Sequence, residues 1–208
     1  MGSDLRRIPL SRRSHIIGFQ PLTTGAVEHE SALERDFVTL ASFRDVGAKI
    51  TAQPVAITFT HEGKTRRYTP DFLVDWSSGD CELVEVKYRA DLWRDWLSLK
   101  PGFAAARVWA GEHKASFRIA TERGIRGPHL EAAKQLLPLR TAPIDMLLAE
   151  QALAAVRDGN AATFGALVSV LPASRTAALA TVWRLIARGG LRVDLSSPIG
   201  FSTPVMAP

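Results

Sequence analysis

The sequence has little of what marks several large classes of protein. Only one of its 208 residues, Cys81, is a cysteine, which excludes an internal disulfide and a cysteine-rich zinc site. The five histidines are scattered, with no pair at the spacing of metal ligands on one element. No apolar run approaches the roughly 20 residues of a membrane-spanning helix, and no signal-peptide pattern opens the chain. We therefore expect a cytoplasmic globular protein.

Charge of one sign is only mildly in excess. The chain has 26 Lys and Arg against 21 Asp and Glu, a net charge of +5, and 46% of its residues are hydrophobic. Such a composition is typical of an ordinary globular protein, and the positive excess suits a nucleic-acid partner. One local cluster forms a predicted basic arm at residues 1–14, which either lies along phosphates or is a solvated terminus. It consists of Arg6, Arg7, Arg12 and Arg13.

The first half of the chain alternates helical and strand patterns. At residues 31–45 the apolar side chains follow helical spacing, and Ser31 with Glu34 three residues later forms a capping box at the helix start. An antiparallel meander followed by a helical crossover predicts an α/β fold, with a mixed sheet and helices on its faces. The predicted strands are residues 53–60, 66–76, 82–89 and 116–121, and two helices, 90–99 and 101–112, precede the last strand.

The second half is richer in Ala and Leu and reads as helical. Three predicted helices precede a predicted hairpin, which is the outline of a small, mostly helical, winged-helix-like domain. We therefore divide the chain into a mixed α/β domain, a bridging segment and a C-terminal domain, at residues 1–128, 129–142 and 143–208. The predicted helices are 129–137 in the bridge and 144–157, 161–171 and 174–188 after it, and the hairpin joins 191–195 to 201–205.

Four polar residues of the first half stand at positions that a purely structural fold does not need. Asp71 lies just inside an apolar strand, and Glu34 lies on the first helix. Glu85 and Lys87 are two residues apart in the next strand, so their side chains share one face. Asp71 joins that face when the residue numbers paired between the two strands sum to an even value.

Each of these residues also has an ordinary structural interpretation. Glu34 can serve only the capping box, Asp71 can be a turn residue at a strand entrance, and Glu85 with Lys87 can be a solvated ion pair. Their joint order favours chemistry instead. Two or three carboxylates can hold Mg²⁺, which lowers the pKa of a bound water and stabilises charge on a phosphate. A nearby lysine can orient that water, take up its proton if the pKa of the lysine is lowered, or neutralise the transition state.

Three arginines lie near this proposed site. Arg66 and Arg67 precede Asp71, and Arg89 follows Lys87. Guanidinium groups bind phosphate well, so we expect these three residues to contact DNA, although an exposed, solvated face is an equally ordinary interpretation.

The motifs Thr69-Pro70-Asp71 and Glu85-Val86-Lys87 resemble those of the PD-(D/E)xK nuclease superfamily. More narrowly, residues 15–125 are similar to TnsA, the endonuclease subunit of heteromeric bacterial transposases. The resemblance implies a restriction-endonuclease-like fold for the first domain. The segments that carry it are residues 30–37 (ESALERDF), 53–55 (QPV), 67–74 (RYTPDFLV) and 83–87 (LVEVK).

The resemblance also implies a role for each matching residue. Glu34, Asp71 and Lys87 match the family's catalytic positions. Asp71, Glu85 and Glu34 match its metal-binding positions, of which the one at Glu85 is not always an acid in TnsA proteins. The cofactor would be Mg²⁺, for which Mn²⁺ can substitute.

Partners and location follow from the same resemblance. A TnsA-like hydrolase cuts DNA at transposon ends, so that the element is excised in cut-and-paste transposition. It acts with a TnsB-type DDE transposase and a TnsC-type ATPase regulator, which we expect at the C-terminal region. Its location would be the bacterial cytoplasm, at the nucleoid when active.

Two other functions fit the same residues. One is a stand-alone nuclease of the same fold, acting in restriction, repair or junction resolution. The other is a non-catalytic DNA-binding protein, against which the intact set of three acids and a lysine argues. The C-terminal domain can insert its helix 174–188 into a DNA major groove or dock a protein, and the sequence does not decide between these.

Overall fold

The structure is a computed structural model that describes residues 18–22 and 25–208. The predicted basic arm at residues 1–14 lies outside the described residues. The chain divides into two compact units, Met1–Ile125 and Arg126–Pro208. No helix in the described part of the chain is long and apolar enough to cross a membrane.

The first unit is a mixed α/β structure, which confirms the predicted fold class. In chain order the elements are β1 (Gly18–Leu22), β2 (Gly25–His29), α1 (Ala32–Arg44), β3 (Lys49–Ala52), β4 (Ile57–His61), β5 (Lys64–Tyr68), β6 (Phe72–Asp75), β7 (Cys81–Val86), α2 (Arg89–Glu112), β8 (Ser116–Ala120) and α3 (Glu122–Ile125). Four strands form the main sheet in the order β3-β6-β7-β8, antiparallel except for the parallel pair β7 and β8. Two further pairs, β1 with β2 and β4 with β5, form separate two-stranded ribbons.

Helix α1 begins where the capping box predicts. The Ser31 hydroxyl accepts a hydrogen bond from the Glu34 N–H at 3.1 Å, and a Glu34 carboxylate oxygen accepts one from the Glu30 N–H at 2.7 Å. These bonds satisfy backbone donors that a helix start leaves without intrahelical partners.

Two of the predicted strands have the wrong bounds. The predicted strand at residues 53–60 begins only at Ile57, and β3 precedes it, because Gln53 has a positive φ of 45° that interrupts the extended backbone. The predicted strand at 66–76 is two strands, β5 and β6, which belong to different sheets. Pro70 lies between them and has no N–H to donate to a ladder.

The two helices predicted at 90–99 and 101–112 form one continuous helix, α2, with Pro101 inside it. An internal proline costs a helix about 3 kcal/mol. In α2 the buried side chains that follow it, Phe103, Ala106 and Ala110, pack into the core of the unit. Packing of this face outweighs the local preference of the proline.

Helices cover both faces of the main sheet. Leu83 and Val84 are neighbours in β7 and point to opposite faces, yet both are fully buried. Val84 packs in a cluster with Phe37 of α1, and Leu83 packs in a cluster with Ala106 of α2. Strand β7 therefore has a packed core on each of its faces, and the chain continues from its end into α2.

The second unit is helical. Its elements are α4 (Pro128–Leu136), a 3-10 turn (Leu137–Leu139), α5 (Met146–Arg157), α6 (Phe164–Val170) and α7 (Arg175–Ala187). The predicted hairpin of residues 191–195 and 201–205 is wrong, because that part of the described chain makes only single bridges, Arg192 to Met206 and Thr163 to Pro204. Pro198 and Pro204 have no N–H for a continuous ladder. The winged-helix assignment stays a prediction.

Candidate active site

Asp71, Glu85 and Lys87 meet at one edge of the main sheet. The β6–β7 register pairs Phe72 with Val84 and Asp75 with Cys81, so paired numbers sum to an even value. Continued by one residue, this register places Asp71 opposite Glu85. The paired numbers thus have the even sum that a shared face requires, and Asp71 lies on the same face of the sheet as Glu85.

The Asp71 carboxylate is held by the backbone of the neighbouring strand. Its Oδ2 accepts a hydrogen bond from the Val86 N–H at 2.6 Å. Burial raises the pKa of Asp71 well above its ordinary value of 3.8, and the negative charge of Glu85 raises it further. The hydrogen bond from Val86 opposes this shift without reversing it. The group therefore lies where a negative charge is costly unless a cation joins it.

Glu85 is among the few buried charged residues of the described chain, at 3% exposure. The Tyr68 hydroxyl donates a hydrogen bond to its Oε2 at 2.5 Å, and the Lys87 ammonium donates to its Oε1 at 2.8 Å. Both carboxylate oxygens are thus fixed, which orients the carboxylate beside Asp71.

Lys87 is cationic in this surrounding. Burial lowers the pKa of Lys87, but the charge of Glu85 and its hydrogen bond, together with the charge of Asp71, outweigh burial and raise the pKa above 10.5. The ammonium therefore stays protonated at neutral pH and can act as a positive charge and as a hydrogen-bond donor.

Tyr68 is a site residue that sequence reasoning missed. Its ring packs against α2 at Gly102, where an added Cβ would lie 2.9 Å from Tyr68 Cδ2. Burial and the charge of Glu85 raise the pKa of the Tyr68 phenol, so its hydroxyl remains a donor to Glu85. The available signal was its place immediately before the Thr69-Pro70-Asp71 motif, in a predicted strand.

Gln53 is a second residue without a predicted role. Its N–H donates to the Asp71 carbonyl oxygen at 2.7 Å. Asp71 and Glu85 face each other across two strands, and Gln53, which follows β3, lies on the other side of Asp71 in the same row of residues. Its side-chain amide donates to Glu30 Oε1 at 2.7 Å. A small cavity next to Asp71 is lined by Gln53 and Glu34 among others.

Glu34 lies near this row but is engaged at the start of α1. Its Oε1 accepts from the Ser31 hydroxyl at 2.8 Å and its Oε2 from the Glu30 N–H. Its charge contributes to the raised pKa of Asp71, so the two carboxylates interact electrostatically. The catalytic and metal-binding roles of Glu34 remain predictions.

The three arginines proposed for DNA contacts lie in different surroundings. Arg66 lies 3.8 Å from Glu62 at the tip of the β4–β5 ribbon, whereas Arg67 lines an open cleft beside Gln53 and Thr69. Arg89 is exposed at the first position of α2.

The donor set fits a hard divalent cation. Asp71 and Glu85 are carboxylates close enough for one charge to raise the pKa of the other. Mg²⁺ is commonly held by one or two carboxylates, with waters and phosphate oxygens as its other ligands. Among the described residues no group of three or more His, Cys, Asp or Glu side chains could hold a metal. A cation at this row would therefore rely on water and phosphate for most of its ligands.

Residues 48–122 match the family model of the TnsA-like endonuclease N-terminal domain. Over this segment the chain is similar to a TnsA-like nuclease domain. The matched segment contains Asp71, Glu85 and Lys87, while Glu34 lies before it. A comparison with curated proteins finds no match.

Proposed function

We propose that this TnsA-like nuclease is a Mg²⁺-dependent DNA endonuclease that hydrolyses phosphodiester bonds at transposon ends during cut-and-paste transposition. The observation that supports it best is the row of Asp71, Glu85 and Lys87 at one edge of the sheet, within the TnsA-like segment. Two carboxylates beside a lysine are the groups that metal-assisted phosphodiester hydrolysis needs.

Each residue of the row has its own task in this proposal. Asp71 and Glu85 would hold the ion, with Tyr68 and Lys87 orienting the Glu85 carboxylate through the hydrogen bonds at 2.5 and 2.8 Å. The bound ion would supply a water of lowered pKa and offset charge on the phosphate. Mn²⁺ could take its place, because carboxylate and water ligands suit both metals.

Lys87 acts in this proposal as a cation rather than a base. Its raised pKa keeps the ammonium protonated at neutral pH. A protonated lysine beside the carboxylates can hold a phosphate oxygen and neutralise negative charge that develops on it.

The partners and location that we propose follow from the family. The nuclease would act with a TnsB-type DDE transposase and a TnsC-type ATPase regulator, in the bacterial cytoplasm at the nucleoid. The C-terminal unit would bind either these proteins or DNA.

The test is cleavage of a labelled transposon-end duplex with Mg²⁺ and the partner transposase present. We expect Lys87→Ala to lower the cleavage rate at least about 100-fold without unfolding the protein. Lys100→Ala, which removes an exposed lysine on α2, is the matched control and should cleave like the unaltered protein.

Three outcomes would contradict the proposal. Full cleavage by Lys87→Ala would show that the row is not the active site. Metal-dependent cleavage of DNA without transposon ends and without partners would favour a stand-alone nuclease instead. Absence of Mg²⁺ or Mn²⁺ binding by calorimetry, even with DNA bound, would favour a non-catalytic DNA-binding protein.

A further inference from the structure

The β4–β5 ribbon has two chemically different faces. Its register pairs Ile57 with Tyr68 and Thr58 with Arg67. Ile57 and Tyr68 point inward, where they belong to the cluster that includes α2 residues. Because side chains alternate along a strand, the other face is outward and polar. It carries Thr58, Thr60, Thr65 and Arg67, all of them exposed.

The two adjacent arginines of the ribbon therefore lie on opposite faces. Arg66 shares the inward-facing set with Phe59 and lies 3.8 Å from Glu62. Arg67 is on the outward face, and among the described residues its guanidinium has no ion-pair or hydrogen-bond partner. An exposed guanidinium without an internal acid is available to an external anion.

Arg67 lines a cleft that shares one residue with the cavity at the candidate active site. It lines a cleft of about 320 Å³ together with Gln53, Val55, Ala56 and Thr69. Gln53 also lines the small cavity next to Asp71 and donates its N–H to the Asp71 carbonyl. One residue thus lines both spaces, so the cleft of Arg67 borders the small cavity at Asp71.

The polar groups of this cleft suit a phosphodiester. Guanidinium, hydroxyl and amide groups make most contacts between proteins and the phosphates and sugars of DNA, and these contacts position the duplex without reading its sequence. A two-stranded ribbon is also narrow enough to enter the major groove. Apart from Val55 and Ala56, the described residues that line the cleft are polar, which makes it a poor binding site for an apolar protein segment.

We propose that the outward face of the β4–β5 ribbon binds the DNA backbone, with Arg67 holding a phosphate next to the one that is cleaved. This inference rests on the proposed nuclease function for its substrate. It separates Arg67 from Arg66, two residues that the sequence alone treats alike. Arg67 acts as a positioning residue, because it fixes the duplex while the reacting atoms lie at Asp71 and Glu85.

The test measures affinity of the full-length protein for a fluorescein-labelled duplex by anisotropy, without Mg²⁺, over a series of salt concentrations. We expect Arg67→Ala to weaken binding about tenfold and to lower the slope of log K against log salt by about one. Arg66→Ala, with the same change of charge, should lose less affinity than Arg67→Ala, because Arg66 already lies beside Glu62. Thermal unfolding followed by circular dichroism checks that both variants are folded.

Arg67→Lys sharpens the assignment. Since a lysine keeps the charge but loses the two-pronged geometry, it should retain the salt slope and recover part of the affinity. Equal losses in Arg66→Ala and Arg67→Ala would overturn the inference, because a general charge effect would then explain both. Unchanged DNA affinity with weakened transposase binding in Arg67→Ala would also overturn it and assign the face to a protein.

Failure of this inference is distinct from failure of the proposed function, since the binding measurement needs neither metal nor cleavage. Cleavage that depends on Lys87 but not on Arg67 would retain the nuclease and reject the phosphate site. DNA binding that depends on Arg67, without any metal-dependent cleavage, would retain the site and reject the nuclease.

Discussion

The two compact units of the chain differ in what they bury. In the second unit Thr181 is the only buried polar or charged residue, and its core consists of apolar residues such as Leu167 and Val182. In the described part of the first unit the buried set includes Glu85 and Asp36. Beside Glu85, Asp71 is a second carboxyl in a position that raises its pKa.

This difference shows where the chain gives up stability. An apolar core gains free energy from every side chain that it buries, whereas a buried carboxylate must recover its lost hydration from hydrogen bonds and charges. Glu85 recovers part of it from Tyr68 and Lys87. A pair of neighbouring carboxylates is retained most readily where a cation is bound, which is why we locate chemistry in the first unit.

The largest expected effect is a loss of DNA cleavage without a loss of stability, caused by a substitution in the first unit. Asp71→Asn should lower DNA cleavage at least about 100-fold, because an amide is a poor ligand for Mg²⁺. The melting temperature of this variant without metal should stay the same or rise. The neutral amide costs less to bury than a carboxylate, and Glu85 does not repel it. Cleavage and circular dichroism melts measure the two effects.

Asp75→Asn is the matched control for this change. Asp75 is exposed at the far end of β6, the strand that Asp71 immediately precedes, so the Asp75→Asn variant should cleave normally. A clear fall in melting temperature for Asp71→Asn would contradict our interpretation, because the carboxylate would then be a structural group.

The next effect is the opposite case, a loss of stability in the second unit. Leu167 is completely buried, so Leu167→Ala should lower the free energy of unfolding by about 2–5 kcal/mol. Val170→Ala on the same helix removes an exposed side chain and should change it by less than about 0.5 kcal/mol. Denaturant titrations decide this, and equal losses in both variants would refute the assigned core.

A smaller effect tests how α2 positions the site. Gly102→Ala would place a Cβ 2.9 Å from the Tyr68 ring, which must then shift and disturb its hydrogen bond to Glu85. We expect the cleavage rate to fall about tenfold, since misplacement of a positioning group by a fraction of an ångström is costly.

Gly111 offers a matched control on the same helix. An added Cβ there meets no atom within 4 Å, so Gly111→Ala should leave cleavage unchanged and stabilise the helix by about 0.5–1 kcal/mol. Equal cleavage by both variants would show that the Tyr68 position does not matter.

The smallest effect concerns an exposed acid of the first unit. The Ser77 hydroxyl and N–H both donate to Asp45 at 2.7 Å, and these bonds hold the pKa of Asp45 below its usual 3.8. A lowered pKa contributes stability above the unfolded value, and the contribution is lost as pH falls through the folded pKa. Asp45→Asn should thus melt slightly lower than the unaltered protein at pH 7. The gap should close toward pH 3, and a gap that widens in acid would contradict the assignment.

Local features of the sequence predicted the elements that depend on neighbours in the chain. The capping box of Ser31 and Glu34 marked the start of α1, because its bonds span only three residues. Alternation put Glu85 and Lys87 on one face of β7. The same reasoning placed one strand over residues 66–76, which Pro70 divides in two. It also placed two helices around Pro101, where packing with distant segments keeps one helix continuous.

Contacts between remote segments could not be predicted in this way. The hydrogen bond from Tyr68 to Glu85 joins residues 17 apart in the chain. The opposite orientations of Arg66 and Arg67 depend on which face of the ribbon meets α2, a question that two adjacent identical residues cannot answer.

The sequence by itself determined the residue types and the two-residue periodicity that puts Glu85 and Lys87 on one face. It also determined that both units have enough apolar residues to form their own cores. The tertiary structure alone decided the register that sets Asp71 opposite Glu85, the burial that raises the pKa of Asp71, and the exposure of Arg67. The reason is physical: pairing, burial and charge interaction depend on distances between segments that only the folded chain brings together.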